Sequence, residues 1–217
     1  MIAENLKHIR SGLQPEVNLI AVSKTKPEED IMQAYAAGQR HFGENKILEM
    51  ARKHDNLPKD IKWHMIGHVQ TNKVKHMAKF VHLIHAVDSL KLLKEIHKRA
   101  KNETRVIQVL LQLKIAEEDS KFGLEKEELL AVLKESVTDD YSHVQVIGLM
   151  GMATFTQDES QISLEFTKLE DLYFELKDKY AFTSLSMGMS GDYPIALRHR
   201  SNMIRVGSKI FGERNYK

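Results

Sequence analysis

The sequence predicts an α/β fold: a single (β/α)8 TIM barrel with an extra N-terminal helix. Eight short runs rich in apolar residues alternate with charged segments of helical spacing, which is typical of a parallel sheet. Several runs are apolar on both faces, as buried parallel strands are. No Gly-, Ser- or Pro-rich linker interrupts the chain, so we expect residues 1–217 to form one domain. The alternative is an open, doubly wound sheet of about six strands.

The candidate strands are short and rich in β-branched and other apolar residues. They cover 18–24, 39–43, 61–68, 81–87, 105–113, 143–152, 183–189 and 203–211. Helical spacing predicts a first amphipathic helix at 2–11 and later helices at 27–37, 88–101, 125–136 and 158–179. Pro27 suits a first helical turn, and the segments Asp88-Ser89 and Thr156 to Asp158 offer N-cap residues.

Composition excludes several classes of protein. The chain has 32 basic and 30 acidic residues, mixed along its length, which argues against a nucleic-acid-binding surface. Its 42% hydrophobic content argues against disorder, and no apolar run approaches the roughly 18 residues that span a bilayer. The N-terminus does not resemble a signal peptide. With no cysteine, disulfides and thiolate sites are excluded, and we expect a cytoplasmic protein.

Lys24 is the first candidate for chemistry, because it follows the first apolar strand. In barrels and open α/β sheets, ligands bind at the C-terminal ends of strands. Alternation places Ile20, Val22 and Lys24 on one strand face, so an inward-facing Lys24 would stand at the mouth of the barrel. Desolvation there would lower its pKa and supply the neutral amine that a Schiff base requires. The alternative is a lysine that extends into solvent at a strand end.

Small residues follow the last two candidate strands, where barrels often bind phosphate. Ser186 lies at the end of strand seven, and Arg205, Gly207 and Ser208 lie in strand eight. The two serines offer hydroxyl donors, and Gly207 allows close approach of the backbone, although glycines also serve simply in tight turns. Arg205 shares a strand face with Gly207, and an inward arginine needs a partner because it keeps its charge. With Lys24, this set describes a site for pyridoxal 5'-phosphate (PLP), with Arg205 at the ring nitrogen.

Eight motifs, in order over nearly the whole chain, carry a resemblance to a known family. They are AVSKTKP (21–27), HFGEN (41–45), WHMIGHVQTNK (63–73), HAVD (85–88), EDSKFG (118–123), GLMGMA (148–153), LSMGMSGD (185–192) and IRVGSKIFG (204–212). Together they closely resemble the YggS/PROSC family of pyridoxal phosphate homeostasis proteins. Members of this family look like the barrel domain of alanine racemase standing alone.

The resemblance implies roles for six residues. Lys24 would hold PLP as a Schiff base, Arg205 would face the pyridine nitrogen, and Asn45 would lie near the cofactor. Phosphate would be held by Ser186, Gly207 and Ser208. An arginine does not accept a proton, so it leaves the ring nitrogen unprotonated and weakens the electron sink that carbanion chemistry needs.

Two positions depart from the family pattern. Lys114 stands in a Gln-Leu-Lys run where the family commonly has an asparagine. Arg200 precedes strand eight where a Gly-Ser pair is common, and it is either a surface residue or an added anion contact. Neither position is one that the resemblance assigns to the Schiff base or to phosphate.

The first functional hypothesis is a PLP-binding protein of vitamin B6 and amino-acid homeostasis that lacks robust catalysis and binds PLP-requiring enzymes at most transiently. So few residues follow strand eight that we expect neither the C-terminal domain of alanine racemase nor its dimer, and hence a monomer. The alternatives are a racemase-like PLP enzyme with Lys24 as its sole base and a PLP-free barrel for a phosphorylated metabolite. The eleven histidines include His64, His68, His82 and His85, but we expect no metal site because His64 lies within a strand.

Overall fold

Eight parallel strands close into a barrel in the computed structural model, which describes residues 1–117 and 122–213. The strands follow chain order around the barrel, and the last pairs with the first. They are β1 (Asn18–Val22), β2 (His41–Glu44), β3 (Lys62–Met65), β4 (Leu83–Val87), β5 (Ile107–Gln112), β6 (Val144–Met150), β7 (Ser184–Ser186) and β8 (Met203–Val206). All eight predicted strands are confirmed, each shorter than its sequence run, and the open-sheet alternative is excluded.

Helices surround the barrel. They are α1 (Ile2–Ser11), α2 (Glu28–Ala36), α3 (Ile47–Asn56), α4 (Leu90–Asn102), α5 (Lys126–Ser136), α6 (Glu159–Tyr180), α7 (Tyr193–Arg198) and α8 (Ser208–Phe211). Short 3-10 helices cover Thr71–His76 and Asp139–Tyr141. The five predicted helices are confirmed. Helix α3 was not predicted, and α7 and α8 are too short to show a helical period.

The ends of three helices show how closely the local sequence rules hold. The Ser89 hydroxyl accepts a hydrogen bond from the Leu92 N–H, and the Asp158 carboxylate accepts two at the start of α6. Both N-caps lie within the predicted segments, at the last residue of each. Pro27 is itself the N-cap of α2, one position before the predicted first turn.

Two apolar cores hold the barrel together. The larger lies where helices pack against strands, and its fully buried members include Trp63, Phe42 and Phe166. The smaller groups inward-facing side chains from five strands: Ile20, Leu83, Ala86, Leu110, Ile147, Met150 and Met203. Ile20 is thus inward-facing, which is the orientation that would bring the face it shares with Lys24 to the inside of the barrel. In the parts of the chain that are described, none of the helices combines the length and the apolar character needed to cross a bilayer.

Candidate functional site

A cavity of about 670 Å3 opens at the C-terminal end of the barrel. Five of the six predicted site residues line it: Lys24, Asn45, Arg205, Gly207 and Ser208. The loop after β6 and the loop after β7 complete the wall. The structure therefore places a strand-end lysine, a buried arginine and the turn after β8 around one space, as the sequence predicted.

Closure of the barrel places the lysine loop beside the turn after β8. Strand β1 pairs with β8 in a register that sets Ile20 opposite Arg205. A Cβ atom on Gly207 would lie 3.3 Å from the carbonyl oxygen of Val22, so the two strand ends are in close contact. This approach leaves little room for a side chain at 207, and Lys24 lies two residues beyond Val22.

Two hydrogen bonds hold the guanidinium group of Arg205. Its Nη1 donates to the Ser186 hydroxyl at 2.5 Å, and its Nη2 donates to the Gly151 carbonyl at 3.0 Å. Burial lowers the pKa of Arg205 to about 10, and the nearby Asp192 carboxylate opposes that shift. The guanidinium is therefore a rigid cation at neutral pH, with the partners that an inward arginine needs.

Ser186 does not reach the cavity. It is fully buried, and its hydroxyl lies between Arg205 and the Nδ1 atom of His85, 3.0 Å away. Ser190 lines the cavity instead, and its Oγ accepts the Gly207 N–H at 3.1 Å. The expected phosphate contact of Ser186 finds no support in this geometry, and Ser190 was missed. Both belong to the LSMGMSGD motif, but β7 ends at Ser186, and the loop beyond it carries Ser190 to the cavity.

The backbone beside Lys24 is strained and is held by side-chain contacts. Thr25 has a φ of 63°, in the left-handed region that a β-branched residue seldom adopts. Its N–H donates to Glu49 Oε1 at 2.7 Å, and the Ser23 hydroxyl donates to Glu44 Oε1 at 2.6 Å. Both neighbours of Lys24 are therefore tied to the β2–α3 segment, so the backbone that carries the lysine is held by the surrounding structure.

A fully buried ammonium group joins these contacts. Lys53 Nζ lies 2.8 Å from the Ser23 carbonyl, from Glu44 Oε1 and from Glu49 Oε1. Burial raises the pKa of Glu44 despite the adjacent Lys53, and its Oε2 atom has no hydrogen-bond partner within the described chain. Burial also acts to raise the pKa of Glu49, but hydrogen bonds from Lys53 and Thr25 outweigh it and lower that pKa.

Lys26 also lines the cavity, but its ammonium group serves the backbone. Its Nζ donates to the Phe211 carbonyl at 2.9 Å and to the carbonyls of Gly212 and Glu213 at 3.2 Å. These acceptors lie at the C-terminus of α8, which cations stabilise. The two lysines of the AVSKTKP motif therefore have different surroundings, and Lys24 is the better candidate for a Schiff base.

A column of imidazoles runs below Arg205 inside the barrel. His41 Nδ1 lies 2.9 Å from His64 Nε2, and His64 Nδ1 lies 2.9 Å from His85 Nε2. His85 contacts Ser186, which contacts Arg205. Desolvation lowers the pKa of His41 to about 4 and holds the pKa values of His64 and His85 well below the ordinary value. Sequence reasoning missed this column because its members lie on three different strands, and only pairing of those strands brings the rings together.

The two departures from the family pattern lie outside the cavity wall. The Arg200 guanidinium lies 4.9 Å from the centre of the Phe174 ring and 3.4 Å from Glu170, so it is a surface residue. Lys114 Nζ is 3.9 Å from Glu125. Of the EDSKFG motif, residues 118–121 lie outside the described residues.

Comparison with known proteins places this chain among close relatives. The family model described as alanine racemase, N-terminal domain, matches residues 1–215. The pyridoxal phosphate homeostasis protein of Pasteurella multocida is 36% identical, with 99% of this chain and 95% of that protein covered. The structure of PipY from Synechococcus elongatus with PLP bound has a TM-score of 0.89 and 36% identity, with 98% of this chain and 100% of that chain covered.

Alanine racemase from Bartonella henselae, solved with covalently bound pyridoxal phosphate, shares the fold. Its TM-score is 0.75 at 15% identity, and 99% of this chain matches 63% of that one. At this identity the likeness concerns the barrel alone. It confirms the predicted resemblance to the barrel domain of alanine racemase.

Proposed function

Because the chain belongs to the family of pyridoxal phosphate homeostasis proteins, we propose that it binds PLP in the cavity at the C-terminal end of its barrel. The observation that carries this proposal is that Lys24, Arg205 and Gly207 line one cavity. The amine of Lys24 would condense with the PLP aldehyde and release water, leaving the cofactor attached as a Schiff base. PLP supplies an electrophilic carbon and, where its ring nitrogen is protonated, an electron sink.

The residues present fit the parts of the cofactor. Gly207 and Ser208 begin the turn after β8, where the first N–H groups of a helix lack intrahelical partners. Ser190 and Ser208 add hydroxyl groups for a phosphate, while Asn45 lines the wall just past β2. We therefore assign phosphate binding to the segment around Gly207 together with Ser190.

Arg205 determines what the bound cofactor is able to do. Ser186 and the Gly151 carbonyl hold the guanidinium, which donates hydrogen bonds and accepts none. Facing the ring nitrogen, it would leave that nitrogen unprotonated, and carbanions would be poorly stabilised. We propose accordingly that the protein binds and buffers PLP without robust turnover of amino acids.

A turnover assay tests the non-catalytic part of this proposal. The PLP-loaded protein is incubated with a panel of L- and D-amino acids, and racemised and deaminated products are measured over time. We expect at most one equivalent of product per bound PLP. Steady turnover in proportion to enzyme concentration would instead identify a racemase-like enzyme with Lys24 as the base.

We further propose that residues 1–217 act as one domain and as a monomer that releases PLP to PLP-requiring enzymes. Sedimentation at several concentrations tests the monomer. Reactivation of a PLP-free enzyme by the loaded protein, compared with free PLP at equal concentration, tests release.

A further inference from the structure

Three histidines gather at the end of the barrel opposite the proposed PLP cavity. His41 begins β2, His64 faces inward from β3, and His82 precedes β4. One ring nitrogen from each lies within 4.8 Å of the other two, and the ring centres are 5.1 to 5.6 Å apart. We propose that His41, His64 and His82 bind a divalent transition-metal ion such as Zn2+.

The ligand atoms have the chemistry that such an ion needs. Imidazole nitrogens suit Zn2+, Cu2+ and Ni2+, and only a neutral ring offers a lone pair. Each of the three rings contributes one such nitrogen, and these nitrogens lie close enough together to share one ion.

His64, the middle histidine of the cluster, already has a hydrogen-bond partner at its other ring nitrogen. Histidines that bind metals almost always direct their other ring nitrogen to a hydrogen-bond acceptor, which fixes the ring and its tautomer. His64 Nδ1 lies 2.9 Å from His85 Nε2, leaving His64 Nε2 directed at His41 Nδ1. When the Nδ1–H of His64 donates to His85, the Nε2 lone pair of His64 points to the centre of the cluster.

Metal binding requires only a small rearrangement. In a tetrahedral zinc site, with bonds of about 2.0–2.1 Å, neighbouring ligand nitrogens lie about 3.3 Å apart. The nitrogens, which lie within 4.8 Å of one another, must therefore approach, and the His41–His64 hydrogen bond gives way to coordination. His41 and His82 are only half-buried, so their side chains have room to turn inward and an ion can enter from solvent. Water would complete the coordination.

Titration calorimetry tests the site on the full PLP-loaded chain, prepared without a histidine tag. We expect one Zn2+ per chain, with affinity at least about 100-fold weaker in a His41→Gln/His82→Gln variant, since each lost ligand removes a coordinate bond. His97→Gln/His143→Gln is the matched control, because those rings are also 5.6 Å apart but lie outside the cluster. It should bind Zn2+ like the wild type.

A second variant, Lys62→Gln, should increase the affinity for Zn2+, a result that misfolding does not produce. Lys62 is exposed, and its charge opposes a bound cation, so Lys62→Gln should tighten Zn2+ binding. Absence of stoichiometric binding overturns the proposal. So does binding of equal strength in the wild type and the His41→Gln/His82→Gln variant, particularly if Zn2+ also changes the visible spectrum of PLP, because the ion then lies at the cofactor.

Discussion

The ammonium nitrogen of Lys53 lies 2.8 Å from the carbonyl oxygen of Ser23, the residue before the proposed Schiff-base lysine. Lys53 is fully buried and also contacts Glu44 and Glu49. A buried ion network on α3 thus holds the backbone on which Lys24 stands. Positioning of the reactive lysine and stability of the barrel therefore depend on the same group.

Replacing Lys53 by methionine should be strongly destabilising. It leaves Glu44 buried without its cation, a change that typically costs about 3–5 kcal/mol. Arg52→Met is the matched control, because the Arg52–Glu28 pair has an exposed guanidinium and such pairs contribute at most about 1 kcal/mol. Urea unfolding measures both. A Lys53→Met chain as stable as the control would show that the network does not support the fold.

Ser190 and Ser186 should differ in what they do for PLP. Ser190→Ala removes a hydroxyl from the cavity wall, so PLP affinity should fall about five-fold, as expected for loss of one hydrogen bond of about 1 kcal/mol. Affinity for pyridoxal, which lacks the phosphate, should not change. Ser186→Ala removes a partner of Arg205, so any loss should be equal for PLP and pyridoxal. The opposite pattern would return the phosphate contact to Ser186.

Buried histidines should make the fold sensitive to acid. The pKa of His41 is lowered to about 4, and those of His64 and His85 lie well below the ordinary value of about 6.5. Between these values the unfolded chain binds more protons than the folded one, so the free energy of unfolding falls as the pH is lowered from about 6.5 towards 4. The stabilising contribution is fully present above about pH 6.5.

Chemical unfolding in the presence of a chelator measures this effect. Each such histidine adds a slope of up to about 1.4 kcal/mol per pH unit. His41→Gln should therefore give a shallower slope than the wild type. His8→Gln, at an exposed position in α1, is the control and should leave the slope unchanged. A free energy of unfolding that is constant between about pH 6.5 and 4 would contradict the buried neutral imidazoles.

The architecture could be predicted from the sequence because it depends on local patterns. Each of the eight apolar runs, and each charged segment between them, is recognised from a short stretch of neighbouring residues. The small residues of the last two strands lie at the ends where the prediction placed them. The same holds for Lys24, Arg205 and Gly207, which are placed by alternation along two strands that any closed barrel must pair.

The remaining features depend on tertiary contacts, which a short stretch of sequence does not reveal. In the sequence, Lys53 is one of several charged residues in a polar segment, yet its side chain is buried beside Glu44. The imidazole column joins strands β2, β3 and β4, so its distances exist only after closure. Ser186 was predicted to hold phosphate, but the last residue of a strand need not face the mouth of a barrel, and here its hydroxyl contacts Arg205 and not the cavity.

The most direct test of the account is the position of the PLP adduct. The purified protein is mixed with PLP, its visible spectrum is recorded, and the complex is reduced with borohydride and mapped by peptide mass analysis. We expect an absorbance band of a Schiff base and a reduced adduct on Lys24. Lys24→Ala should lose both and stay folded, because Lys24 is a half-buried residue beyond the end of β1, whereas Lys26→Ala should keep both. An adduct on Lys26 or another lysine, or a protein that stays colourless with added PLP, would contradict the account.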